Sequence, residues 1–204
     1  MKVVIVNPGH VFYKEGDPRN TPGKCSVDKS LREAVWNAEV ANLVCTKLKE
    51  LGYITFLAKA SNEKESLTYP VQVTEAACDK YGARNCVFVS VHVNAAGNGT
   101  SWMNAKGWSI YTTPGQNNSD KLATAIWNEA AKEFTDRVVR KDLQDGDPDY
   151  EANFYVIRKA PCPAVLVENF FMDNKEDCEF LKTQEAKERC AQVIVNGVKI
   201  YLNS

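Results

Sequence analysis

Short apolar runs alternate with longer stretches of helical period along the whole of this chain. Val3–Val6, Tyr53–Leu57, Val87–Val93, Gly107–Thr112, Phe154–Ile157 and Ala164–Val167 read as strands. Most are continuously apolar, as strands are when helices cover both of their faces. Leu31–Leu51, Pro70–Tyr81, Asn118–Thr135 and Gln184–Leu202 read as helices. In the first of these, Leu31, Val35, Ala38, Ala41, Val44, Leu48 and Leu51 recur at steps of three and four, forming one apolar stripe, and Gly52 marks its end. Such alternation predicts an α/β fold: a three-layer αβα sandwich with a central, mostly parallel six-stranded sheet flanked by helices. Val11–Ser30, Asn94–Lys106 and Asp136–Asn153 carry turn-forming residues and read as loops. The first is about twenty residues without a pattern of its own, which suggests a functional surface loop. With no internal repeat, low-complexity tract or linker, residues 1–204 are expected to form one domain.

Composition adds exclusions. Lys plus Arg number 25 against 26 Asp plus Glu, a net charge of −1, so nothing electrostatic favours nucleic acid or an anionic membrane as partner. No apolar run approaches the ~20 residues of a membrane span. The opening run ends at Asn7-Pro8-Gly9-His10, short of the ~7–15 apolar residues in the core of an export signal, and reads as a buried first strand. Synthesis without a signal and removal of one are both left open. Cys25, Cys45, Cys78, Cys86, Cys162, Cys178 and Cys190 are odd in number, irregularly spaced and form no C-x-x-C pair. Free thiols are expected, rather than a zinc cluster or a disulfide scaffold.

The only two histidines sit at strand ends. His10 follows Val3–Val6 through Asn-Pro-Gly, and His92 closes Val87–Val91; Glu168 follows Ala164–Val167 in the same way. Ligands of open α/β sheets bind beyond the carboxyl ends of the strands, so parallel neighbours would bring these three into one crevice. Each taken singly could be a structural strand-end residue. Together they point to a metal or acid–base site, without a specific reaction. Ser30-Leu31-Arg32-Glu33 fits a capping box, which would turn Glu33 onto its own helix backbone. Yet Glu33 shares a face with Asn37 and Val40, away from the Leu31 stripe, so the residues leave its role open. Asp145-Gly146-Asp147-Pro148-Asp149 lacks the Gly and Glu of an EF-hand loop and reads as a solvated acidic turn. Trp102 either stacks on a ligand or anchors its loop. The sequons at Asn98 and Asn117 carry little meaning without secretion.

These stretches resemble the zinc-dependent N-acetylmuramoyl-L-alanine amidases of the type 3 family. The likeness runs through Val4–His10, Leu31-Arg32-Glu33 with Asn37, Val89–Ala96, Val156-Ile157-Arg158, Pro163–Asn169, Phe171–Asn174 and Phe180-Leu181. It implies one Zn2+ per chain held by His10, Glu33 and His92, with Glu168 as the catalytic carboxylate. It also implies that Asn94 and Arg158 lie near a substrate groove, and that the enzyme, a monomer, cuts the amide joining N-acetylmuramic acid to L-alanine in peptidoglycan. The implied site of action is the bacterial cell wall. Val11 in place of a glycine, Asn7 in place of an Asp, and Ala58 or Lys59 in place of an Arg depart from the pattern. Two imidazoles and one carboxylate leave a fourth position for water, the arrangement of hydrolytic rather than structural zinc. Another zinc peptidase acting within the stem peptide, and a non-catalytic peptidoglycan-binding module, are the rival readings.

Overall fold

A computed structural model describes all residues, 1–204. The strands are β1 (Val3–Pro8), β2 (Ile54–Leu57), β3 (Cys86–Asn94), β4 (Ser109–Thr112), β5 (Tyr150–Glu151) and β6 (Ala164–Phe171). The helices are α1 (Glu33–Glu50), α2 (Thr68–Tyr81), α3 (Asn118–Glu133), α4 (Tyr155–Lys159), α5 (Lys175–Leu181) and α6 (Gln184–Leu202). They build one six-stranded sheet in the order β2-β1-β3-β6-β4-β5, parallel throughout except where β4 runs antiparallel to β6.

Successive strand residues face opposite sides of the sheet. Val4, Val6, Val87, Val89, Val91, Val165 and Val167 join the larger core with residues of α1, α3 and α6. Val3, Ile5, Phe88, Ala164 and Leu166 join the smaller core with residues of α2 and α4. Both faces are covered, which is why these strands are apolar without interruption. On the larger side α3 and α6 meet closely: a Cβ on Gly197 would stand 2.4 Å from the Ile126 Cα. No helix is long and apolar enough to cross a membrane, and all seven cysteines are free thiols.

Four expectations need correction. Phe154–Ile157 is not a strand; Tyr155–Lys159 is helical, with the Arg158 amide bonded to the Phe154 carbonyl at 3.0 Å. The sixth strand instead lies in the expected loop, where Tyr150 and Glu151 pair with Tyr111 and Thr112. Helix α5 is also unforeseen; Asn174 caps it by accepting from the Asp177 amide. On α1 the buried face is Trp36, Asn37, Val40, Ala41, Val44 and Leu48, while Val35 is 40% and Leu51 52% exposed. The helix packs on the sheet and on α6 at once, so its buried arc is rotated from the Leu31 stripe and takes in Glu33.

Candidate metal centre

His10, His92, Glu33 and Glu168 come from four separate elements. β1 ends in a tight turn that leaves His10 in the left-handed region at φ 64°, a conformation His tolerates better than most residues. Gly9 passes so close to β3 that an added Cβ would lie 2.0 Å from the His92 Cε1, so only glycine fits there. The crossover after β1 delivers Glu33 as the first residue of α1, 2% exposed. The capping box is not formed. Arg32 is the cap without a side-chain bond, and the Ser30 hydroxyl bonds Asp28 instead. The Glu33 carboxylate is thereby free to face the sheet.

It faces both imidazoles. Glu33 Oε2 lies 3.4 Å from His10 Nε2, and Oε1 lies 3.1 Å from His92 Nδ1. The Val93 amide donates to Oε1 at 3.2 Å, and the Asn37 amide reaches both Glu33 Oε1 (3.4 Å) and the Gly9 carbonyl (3.0 Å). The His10 and His92 rings are 5.0 Å apart and nearly perpendicular. One donor atom from each of His10, Glu33 and His92 lies within 4.8 Å of the others, a group that could hold a metal ion. Burial would raise the Glu33 carboxyl, but the two histidines facing it, His10 first, outweigh burial and hold it well below the usual range. Burial lowers His92 despite Glu33, favouring the neutral imidazole that a metal requires.

A hydrogen-bond relay fixes which His92 nitrogen carries the proton. The Asn7 amide nitrogen donates to the Ala58 carbonyl at 2.9 Å, so its Oδ1 accepts from the Ser90 hydroxyl at 2.8 Å. Having given its proton to Asn7, the Ser90 Oγ accepts from His92 Nε2 at 3.2 Å. Nδ1 is left with a lone pair pointing at a carboxylate oxygen. Two acceptors 3.1 Å apart, with no proton between them, suit a shared cation.

Glu168 pairs with His92 across the β3–β6 ladder, and its Oε2 is buried without a partner. Burial first, then the negative charge of Glu33, raises its carboxyl well above the usual range, against the pull of Lys24. Beyond Glu168 the register slips: His92 opposes Glu168, yet Asn94 opposes Phe171. β6 therefore carries one extra residue, with Phe170 at φ 64°. Asn169 braces this bulge, donating to the His92 carbonyl at 3.0 Å and accepting from Trp108 Nε1 at 3.2 Å.

His10, His92 and Glu168 border a cleft of about 240 Å³, and Glu33 lies buried behind the two imidazoles. Lys24, Leu67, Phe154, Tyr155 and Leu166 form much of its wall. Asn94 and Arg158 are not among its lining residues. Asn94 accepts from the Ala95 amide at 2.8 Å beside the bulge, and the exposed Arg158 guanidinium lies 5.8 Å from the Tyr155 ring centre. Trp102 also stands outside the cleft. The Val11–Ser30 loop is tied down by Tyr13 Oη to the Ser61 carbonyl at 2.7 Å and by the Glu63 amide to the Arg19 carbonyl at 3.0 Å, and it supplies Lys24. Sequence reasoning missed Lys24, Phe154 and Tyr155, which nothing but tertiary placement reveals. It also missed Ser90 and Asn7, for which a polar residue two positions before His92 was an available signal.

The model of one family, N-acetylmuramoyl-L-alanine amidase, matches residues 4–200. The chain belongs to this family. The amidase match spans His10, Glu33, His92 and Glu168. Among relatives, the N-acetylmuramoyl-L-alanine amidase LytC of Bacillus subtilis (strain 168) is 30% identical over 202 residues, covering 98% of this chain and 35% of LytC. The amidase CwlM of Bacillus licheniformis is 30% identical over 198 residues, 97% of this chain and 68% of CwlM. The chain thus spans about a third of LytC's own length. Among solved structures, the catalytic domain of the amidase CwlV from Bacillus (Paenibacillus) polymyxa var. colistinus superposes with a TM-score of 0.77 at 25% identity, covering 100% of this chain and 99% of that one. The six-stranded, mostly parallel sheet flanked by helices is the amidase fold.

Proposed function

We propose that residues 1–204 form one catalytic domain that hydrolyses the amide between the lactyl group of N-acetylmuramic acid and L-alanine in peptidoglycan. One observation carries the reading. The bare Nδ1 of His92 and the Nε2 of His10 converge on the buried Glu33 carboxylate, next to a carboxyl whose Oε2 has no partner. Two imidazole nitrogens and one carboxylate fit a single zinc ion with a coordination position to spare. When bound, the metal supplies Lewis acidity, bringing the pKa of water towards ~7 and polarising the scissile carbonyl.

The chain's own residues do the rest. His10, Glu33 and His92 hold the metal, and the Asn7–Ser90 relay keeps Nε2 protonated so that Nδ1 remains a ligand. Glu168 takes a proton from the attacking water as the carbon–oxygen bond forms. It then delivers that proton to the alanine nitrogen as the carbon–nitrogen bond breaks, so the amine departs neutral. A carboxyl raised by burial and by Glu33 holds a transferred proton better than an exposed one would. Phe154, Tyr155 and Leu67 offer apolar surface for the stem peptide, with Lys24 facing its carboxylates. Asn94 and Arg158 are proposed as outer substrate contacts. Such an activity places the protein's work at the bacterial cell wall.

Incubating the protein with purified muropeptides, with and without a chelator, and weighing the products tests this. Free L-alanine amino termini that vanish with the chelator are expected. Cuts inside the stem peptide would instead assign a peptidase, and binding without cleavage a non-catalytic module.

A further inference from the structure

The acidic turn is solvated at Asp145 and Gly146, as its sequence suggested, but not at its end. Pro148 is buried, and Asp149, just ahead of β5, is 2% exposed. Asp149 faces Asp147 and also Asp120, in the first turn of α3 and 5% exposed. One carboxylate oxygen from each of the three lies within 4.8 Å of the others. Three oxygens are satisfied: Thr112 Oγ1 donates to Asp149 Oδ2 at 2.5 Å, Gln116 Nε2 to Asp147 Oδ2 at 2.8 Å, and the Asn117 amide to Asp120 Oδ2. Asp147 Oδ1 and Asp149 Oδ1 are shut off from solvent and have no donor at all. No Lys or Arg forms an ion pair with any of the three carboxylates.

Buried charges are paired or hold a metal, since an unpaired one costs several kcal/mol or is forced to take a proton. Without a cation, burial, a carboxyl–carboxyl bond with Asp147 and the charges of Asp147 and Asp120 push Asp149 up to about 8, with Thr112 opposing.

We propose that Asp120, Asp147 and Asp149 bind calcium at the β4–β5 edge of the sheet. The donors are all oxygen, with no imidazole or thiolate, which selects a hard cation over zinc. Two of the three come from an irregular turn between chain segments, and the Thr112 hydroxyl adds a further oxygen. Such a site suits the 6–8 variable ligands of calcium better than the strict octahedron of magnesium. Bound calcium joins the start of α3, the end of β4 and the turn before β5. From β5 the chain runs by the Ala152 amide on the Thr112 carbonyl (2.9 Å) directly into Phe154 and Tyr155 of the cleft wall. The site therefore staples the segment that shapes one side of the cleft.

The test is calorimetric titration of calcium chloride into the zinc-loaded full chain, beside thermal melts. Wild type should bind one calcium with Kd of roughly 10⁻⁵–10⁻³ M, and magnesium at least tenfold more weakly. Calcium at a hundredfold excess over Kd should raise the melting temperature by roughly 5–10 °C. Asp149→Asn and Asp147→Asn should each bind calcium at least tenfold more weakly. In chelator Asp149→Asn should melt no lower than wild type, because it relieves a repulsion. Folded wild type that takes up no calcium at millimolar concentration would overturn the proposal. So would Asp147→Asn, the more exposed position and the one safer for folding, if it bound calcium as tightly as wild type.

Discussion

Replacing Gly9 by alanine puts a methyl group into the space occupied by the His92 ring. The new Cβ would stand 2.0, 2.3 and 2.5 Å from Cε1, Nε2 and Nδ1. Carbon contacts settle near 3.5–4.0 Å, so the ring or the β1 turn has to retreat by roughly 1.5 Å. The ring has little room, because Glu33 Oε1 stands 3.1 Å from Nδ1 and Nε2 is bonded to Ser90 at 3.2 Å. Metal–ligand distances tolerate only about ±0.2 Å, so the displacement is several times what coordination allows. Zinc affinity should fall at least ~100-fold, or about 2.8 kcal/mol at ~1.4 kcal/mol per decade. Hydrolysis should fall at least as far, since ~1 Å of misplacement alone costs ~10²-fold in rate. Overpacking should cost the metal-free fold only about 1–3 kcal/mol. Zinc competition against a chelator of known affinity gives the first quantity, muropeptide turnover the second and a melt in chelator the third. In a His92→Ala background the methyl finds empty space, so Gly9→Ala should there leave the melt in chelator nearly unchanged. Gly9→Ala protein that binds zinc and turns over like wild type would refute the claim that this close approach positions the ring.

Ser90→Ala removes the acceptor for His92 Nε2–H, and should weaken zinc binding about 10–100-fold with the fold intact; chelator competition reads it directly. Glu168→Gln should keep zinc near wild-type affinity while turnover drops by ~10²–10⁴-fold, whereas an equally inactive His10→Ala should have lost its metal; a normally active Glu168→Gln assigns the proton transfer to another group. Gly197→Ala forces a methyl to 2.4 Å from the Ile126 Cα, and should lower stability by about 1–3 kcal/mol in a denaturant titration while leaving zinc affinity unchanged.

The strands that carry the chemistry were legible because burial on both faces writes them as unbroken apolar runs. β1, β3 and β6 could be found, and the polar residue closing each run stood out. Glu33 was ambiguous for a physical reason: a carboxylate at the third position after a serine satisfies a helix start or faces outward equally well by sequence. Only the placement of α1 against β1 and β3 decides, and there Ser30 bonds Asp28 instead. β5 was hidden because two residues at an edge carry no period, and α4 because four apolar residues in a row suit strand and helix alike. The acidic turn misled because its burial comes from Thr112 and α3, both distant in sequence. Loop residues such as Lys24 reach the cleft through the fixing of Val11–Ser30 to residues 61–63, which local pattern does not encode.

The surplus residue in β6 changes the parity of the strand. Before it, odd positions (Val165, Val167) enter the larger core; after it, even ones do (Phe170, Met172). A strand of strict alternation that sent Glu168 towards the cleft would also send Phe170 there, and leave the ring cluster of Phe134 and Phe180 without its third member. Any redesign of this strand must therefore count its odd and even steps separately on either side of Asn169. Deleting one residue there would turn Phe170 and Met172 out of the larger core.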